Sequence, residues 1–269
     1  MVVNRPNRSS PISSATFLVS SVVMPRSCPP AEIPKLRRVR SLAGTAWPDV
    51  VPGRLLVAPL GSVEQHGPHL PLGTDTAVAA AVAEAAAVRL DGALLAPALA
   101  YGASGEHEDF PGTISLGTEA LTGLLVEYGR SAGRWAGRVL VVNGHGGNLD
   151  ALRAAGAVLR REGREVAWFP GAVPGGDAHA GRTETSLMLH VEPGAVRADR
   201  SVRGDTTPLP ELLPRLRAEG VRAVSPNGVL GDPAGAAAEE GADLLAALAD
   251  RLVAAAGAWR VDDAGRLLE

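Results

Sequence analysis

The stretch Gly61–Ala77, GSVEQHGPHLPLGTDTA, sets Glu64, His66, His69 and Asp75 within twelve positions. Carboxylates and imidazoles this close form the donor set that a hard or borderline divalent cation takes. Glu64 and His66 stand two apart, so in an extended segment their side chains point the same way. Pro68 and Pro71 stiffen the loop, and Asp75 opens a helix-like run where the helix dipole favours a carboxylate. Each residue alone reads as part of a polar loop with a capping aspartate; the four together favour a metal site.

A second cluster lies in VNGHGGNLDA, residues 142–151, where His145 sits among glycines directly after an apolar run. Such a turn can cradle a phosphate, or it can bring backbone close to a metal ion or a substrate carbonyl. NGHGG lacks the Lys-Ser/Thr ending of a P-loop and is not GxGxxG, so the metal-ligand reading fits better. A nucleotide-binding module holding phosphate at Gly144–Gly147 is the reading from another class, and the clustered acids oppose it. A third cluster, GGDAHAGRTETSLMLH at 175–190, holds Asp177, His179 and Glu184, with Glu184 in the first turns of a helix facing back. Asp177 reads as a turn residue or a substrate contact, and His190 as a satisfied core histidine. The fourth, YGASGEHEDFPGTISLGTEAL at 101–121, carries Glu106, His107, Glu108 and Asp109 on a glycine-bounded loop. That loop is a substrate-contacting lid or simply a solvated loop.

Glu64, His66, Asp75, His145 and Glu184 make three carboxylates and two imidazoles, too many for one structural zinc. They suit two cations sharing a bridging carboxylate, a pair that lowers the pKa of a shared water and polarises a carbonyl. The expected chemistry is metal-assisted hydrolysis of a C–N bond. His179, not needed as a ligand, is free to shuttle a proton or polarise the carbonyl. Glu184 is counted both as a ligand and, with His179, as catalytic; Glu106, His107, Gly146 and Asp177 are the expected substrate contacts.

These clusters need a scaffold that gathers them. Arg54–Leu60, Ala93–Leu99, Arg138–Val142 and Val166–Phe169 read as buried strands. Between and after them, Asp75–Leu90, Glu119–Trp135, Leu149–Arg161 and about Gly235–Trp259 read as helices. Alternation of this kind predicts βαβ units, a mostly parallel sheet and a three-layer α/β/α sandwich. Ligands of such sheets bind beyond the carboxyl ends of the strands, and each cluster follows a strand-like run. Residues 196–234, rich in proline and poor in periodicity, are expected to form a long surface excursion.

Composition narrows the class. A length of 269 residues with 46% hydrophobic content supports one large α/β domain over 41–269. The net charge of −3 argues against nucleic-acid or membrane-surface binding. The single cysteine excludes an intrachain disulfide and points to a cytoplasmic setting. Residues 1–40 differ, with seven basic residues against one acid and many Ser and Pro. Arg5 and Arg8 ahead of Ala15–Met24 resemble a secretory leader, but Pro25 and Arg26 follow at once without an A-x-A site. A disordered extension, or a start at Met24, is expected instead.

GSVEQHGPHLPLGTDT, FPGTISLGTEAL, VVNGHGGN and HAGRTETSLML, in this order, resemble the creatininase family of metal-dependent amidohydrolases from about Trp47 to the final helix. The resemblance implies a dinuclear site in a homo-oligomer. Glu64, Asp75 and His145 would hold one metal, with Asp75 bridging to a second held by His66. Creatininase carries a glutamate two residues after the NGH histidine and an aromatic residue beside it. Here Gly147 and Gly146 stand at those places, so Glu184 is the expected replacement ligand and creatinine a poor substrate. The fuller set WP, GSVEQHGPHLPL, GASGEHEDFPGTISLGTEAL and DAHAGRTETSLMLH is most similar to the mycofactocin-associated members. These are peptidases that release a C-terminal Val–Tyr-derived dipeptide from a modified ribosomal precursor peptide. That resemblance implies iron and zinc, with manganese as a further option. A small-molecule amidohydrolase acting on a cyclic amide or formamide is the alternative.

Overall fold

A computed structural model describes residues 40–269, so the expectations for the N-terminal extension lie outside the described residues. Five parallel strands run in the order β1-β3-β2-β4-β5: β1 Arg40–Ser41, β2 Leu55–Leu60, β3 Leu94–Leu95, β4 Arg138–Asn143 and β5 Val166–Pro170. Helices cover both faces, giving the expected three layers. One face carries α1 (Thr74–Ala87), α4 (Arg182–Val191) and α7 (Ala238–Ala258); the other carries α2 (Gly117–Ala132) and α3 (Leu149–Arg161).

The strands are apolar on both sides because both sides are buried. In β4, Leu140 and Val142 join the cluster under α1, α4 and α7, while Val139 and Val141 pack under α2 and α3. Each such side chain, fully buried, is worth about 1.5–3 kcal/mol. The alanine run of α1 favours helix and lets that helix lie close on the sheet, with Ala79, Ala83 and Ala86 buried.

Two expectations change. Ala93–Leu99 pairs as a regular strand only over Leu94–Leu95, and rejoins β2 by a single bridge from Leu99 to Leu60. Residues 196–234 are not a structureless excursion: they contain α5 (Leu209–Glu219) and the short α6 (Val221–Val224). Pro210 lies in the first turn of α5 at no hydrogen-bond cost, and Pro214 interrupts its interior. Leu212, Leu216, Val221, Val224 and Leu230 form a separate small core that packs against Phe110 and Ala178.

α1 leaves β2 towards one face and α3 leaves β4 towards the other, so the crevice between these neighbouring strands is a topological switch point. It opens where Glu64, His66 and His145 emerge.

Candidate metal centre

The loop after β2 is held by backbone bonds from Glu64 N to Leu72 O (3.1 Å) and from Ile114 N to Val63 O (2.9 Å). It points Glu64 inward, where the side chain is wholly buried. Asp75 enters from the first turn of α1 and accepts from the Ser62 hydroxyl. His145 follows β4 in a clamp of two asparagines. Asn143 donates to His145 O (2.7 Å), and Asn148 donates to Asn143 Oδ1 (3.1 Å) and Gly61 O (3.0 Å). Asn148 Oδ1 accepts from Ala103 N (2.8 Å), so one side chain ties together the loops after β2, β3 and β4.

Three donor sets have ligand atoms within 4.8 Å of one another: Glu64, Asp75 and His145; His66, Asp75 and Glu184; and Glu64, His66 and His179. Asp75 faces His66 Nε2 through Oδ1 (3.0 Å) and His145 Nδ1 through Oδ2 (3.3 Å). Glu184 Oε2 is 3.8 Å from His66 Nε2 and accepts from Ala180 N (2.6 Å). His145 Nε2 lies 3.1 Å from Glu64 Oε2, and His107 Nε2 lies 3.3 Å from Glu64 Oε1. Neither contact is aligned as a hydrogen bond: both oxygens of Glu64 are buried without a hydrogen-bond partner among the described residues. A wholly buried carboxylate left in this state is costly unless a cation neutralises it.

The electrostatics agree. Burial pulls the His66 imidazolium down, but Asp75, with help from Glu184 and Glu64, carries its pKa up to about 10. Burial likewise opposes charge on His145, and Glu64, Asp75 and Glu106 raise it well above the usual range. Burial disfavours ionised Asp75, and His66 and His145 outweigh that to hold it well below its ordinary value. Glu184 is raised to about 7 by burial, with Asp75 and Glu64 adding to the rise against His66. His179 falls well below the normal histidine range through burial and its neighbours His66 and His107. The carboxylates thus demand positive charge, which protons or metal ions supply in competition.

The remaining expected residues are placed as follows. Glu106 reaches His145 Nε2 at 3.4 Å and stays partly exposed, while Gly146 is exposed beside it. His107 is buried and packs on His179 with ring centroids 4.5 Å apart. Asp177 is used differently from the substrate contact expected of it: its carboxylate accepts from Arg182 N and Thr183 N (3.0 Å) at the start of α4. His190 is not in the core; it is exposed at the end of α4. Gly147 has no room for a side chain, since a Cβ there would lie 2.3 Å from Ala103 O, 2.4 Å from His145 Nε2 and 2.6 Å from Glu106 Oε1. Glu106 thus fills the space beside His145 that a side chain at position 147 would need. The two clamping asparagines and Gln65 were not foreseen. Asn143 and Asn148 open and close the NGHGGN motif, but single polar residues in a turn carry no spacing signal.

The profile of the creatininase family, described as creatinine amidohydrolase, matches residues 44–256, and the chain belongs to that family. It is 52% identical over 244 residues to the mycofactocin precursor peptide peptidase of Mycobacterium tuberculosis, covering 87% of this chain and 96% of that one. Among solved structures, a mutant creatininase complexed with creatine superposes with a TM-score of 0.69 at 28% identity, covering 81% of this chain and 97% of that one. A manganese form of creatininase superposes with a TM-score of 0.67, again at 28% identity over 81% of this chain and 97% of that one. The family supports hydrolysis of amide bonds.

Proposed function

We propose that this chain is a dinuclear metal-dependent peptidase that releases the C-terminal Val–Tyr-derived dipeptide from the modified ribosomal precursor peptide of mycofactocin biosynthesis. The observation that carries this reading is the wholly buried carboxylate of Glu64, held without a hydrogen bond between His145 and His107 in a chain 52% identical to peptidases of that name. Glu64, Asp75 and His145 would hold one ion; His66, Asp75 and Glu184 would hold the other, with Asp75 shared. Such ions supply an activated water and a polarised carbonyl. Iron and zinc are the proposed pair, and manganese fits the same donors.

The chain's own groups do the rest. His179, kept neutral, takes the proton lost by the nucleophile and returns it to the departing amine. Glu106 and Gly146, at the open side, contact the peptide, and His107 contacts it from the buried side. Asp177 drops out of the substrate-binding set because α4 occupies its oxygens. The crowding at Gly147 opposes a creatininase-type ligand there and supports Glu184 in its place. We place the enzyme in the cytoplasm as a homo-oligomer; among the described residues no helix is long and apolar enough to cross a membrane.

The test is metal content by mass spectrometry together with hydrolysis of the modified precursor peptide, for the wild type and for His145→Ala. About two ions per chain, with metal and peptide cleavage falling together in the variant, are expected. A folded wild type that takes up no iron, zinc or manganese contradicts the mechanism. Bound metal with the peptide untouched, but a lactam or formamide hydrolysed, replaces the substrate and keeps the chemistry.

A further inference from the structure

Gln65 lies between the two residues of the Glu64–His66 pair, is 5% exposed, and has no part in the scheme above. Its carboxamide has one possible orientation. Oε1 accepts from Gly67 N at 2.8 Å and Nε2 donates to Gly228 O at 3.0 Å. A flipped amide would set donor against donor at Gly67 and acceptor against acceptor at Gly228. The fit leaves no slack: Gly228 has φ +81°, and a Cβ on it would meet Gln65 Oε1 at 1.8 Å.

With the amide fixed, the remaining Nε2 hydrogen has two ring nitrogens in reach, and only one of them is free to accept. His107 Nδ1 is 2.9 Å away and must accept it. That nitrogen then carries no proton, so the proton of neutral His107 sits on Nε2, 3.3 Å from Glu64 Oε1. The backbone of the same residue governs the second ring. His179 Nε2 is 2.8 Å from Gln65 O and donates to it, which leaves His179 Nδ1 bare, 3.7 Å from the same Glu64 oxygen. His179 Nε2 also lies 3.1 Å from Gln65 Nε2. His179 Nε2 carries the proton it gives to Gln65 O and so cannot accept from the amide, which makes this third approach a packing contact.

We infer that Gln65 is a positioning residue that gives two neighbouring histidines opposite faces towards the centre: an N–H at His107 and an open nitrogen at His179. A donor beside an acceptor is what amide hydrolysis uses, one to stabilise the developing oxyanion and one to carry the proton. The inference rests on the hydrolytic reading of this site for its purpose, but not for its proton positions. Its partners come from positions 107, 179 and 228, so Gln65 joins three loops as well as two rings.

The experiment is a long-range proton–nitrogen correlation spectrum of the zinc-loaded full chain with isotope-labelled histidine. The six histidines are assigned by single substitutions, with Gln65→Glu measured alongside. The wild type is expected to show His107 and His179 both protonated on Nε2. Gln65→Glu keeps the acceptor for Gly67 N but removes the donor. It should move the His107 proton to Nδ1, leave His179 unchanged, and lower kcat roughly 10–100-fold with metal content intact. A wild-type His107 protonated on Nδ1 overturns the inference without any variant, which covers a Gln65→Glu chain that fails to fold. An unmoved proton in a folded Gln65→Glu chain overturns it as well. A wild type with the expected proton positions that hydrolyses no peptide contradicts the peptidase reading and still supports the assignment to Gln65.

Discussion

The two walls of the centre are built by different means. Glu64, His66, Asp75 and His145 stand on the ends of β2 and β4 and the start of α1, above the large core. His107 and His179 stand on loops braced by the small core of α5 and α6, where Phe110 and Ala178 pack on Leu212, Leu216 and Leu230. Leu230 holds His179 by an antiparallel bridge, with Leu230 N to His179 O at 2.9 Å and His179 N to Leu230 O at 3.1 Å. Arg222 adds a bond to Asp109 O (2.8 Å) and covers the Phe110 ring. The first wall is fixed by the sheet and supplies ligands; the second rests on few apolar side chains and supplies proton transfer and substrate contact. Damage to the first should abolish metal binding, whereas damage to the second should spare metal and impair turnover.

The largest effect belongs to the first wall. Glu64→Gln removes the charge that both neighbouring imidazoles face, and metal affinity should drop by more than the roughly 10–100-fold that loss of an outer partner costs. Titration with zinc by calorimetry measures this, and unchanged affinity would break the division between the walls. Gly147→Ala is next. Its methyl must displace the Ala103 carbonyl or the His145 ring, so stability should fall by about 1–3 kcal/mol with partial loss of metal. Denaturant unfolding and metal analysis on one preparation read both.

Leu216→Ala probes the second wall. Truncating this buried leucine should cost about 2–3 kcal/mol, expressed as opening of α5–α6 and the 105–110 loop in hydrogen exchange. Metal content should hold while KM for the peptide rises. Equal loss of metal would show that the small core supports both walls.

Stability against pH separates the walls without mutation. In chelator-treated protein the pKa of His66 rises on folding from 6.5 to about 10. The stability this gives is complete below 6.5 and is lost as pH climbs through about 10. Glu184, raised from 4.5 to about 7, loses its contribution in the same direction as pH passes 7. The metal-free chain should therefore melt at lower temperature as pH rises from 6 towards 10. Metal binding should strengthen over that range, because protons leave the ligands. The smallest effect is expected at His190→Ala, within about 0.5 kcal/mol, since that ring is exposed at the end of α4.

How far the sequence could be read follows the same division. Glu64, His66 and Asp75 share one short motif, and His145 follows a strand whose apolar run is plain, so the first wall was legible from spacing. α3 was legible to its ends because its apolar residues recur with helical period. The second wall was hidden by distance: Gln65 meets His107, His179 and Gly228, and no local pattern announces such a meeting. α5 was hidden by Pro210 and Pro214, which read as breakers although one costs the helix nothing. The apolar run around His190 suggests burial, whereas α4 turns that position outward in its last turn. Asp177 reads from sequence as a turn residue or a substrate contact, and only the fold shows its oxygens on the amides at the start of α4.

The most direct measurement is anomalous diffraction at the iron and zinc edges from crystals of the metal-loaded protein. The account predicts two peaks per chain on either side of Asp75, one against Glu64 and His145 and the other against His66 and Glu184. A single peak, or a second peak away from His66 and Glu184, would contradict it.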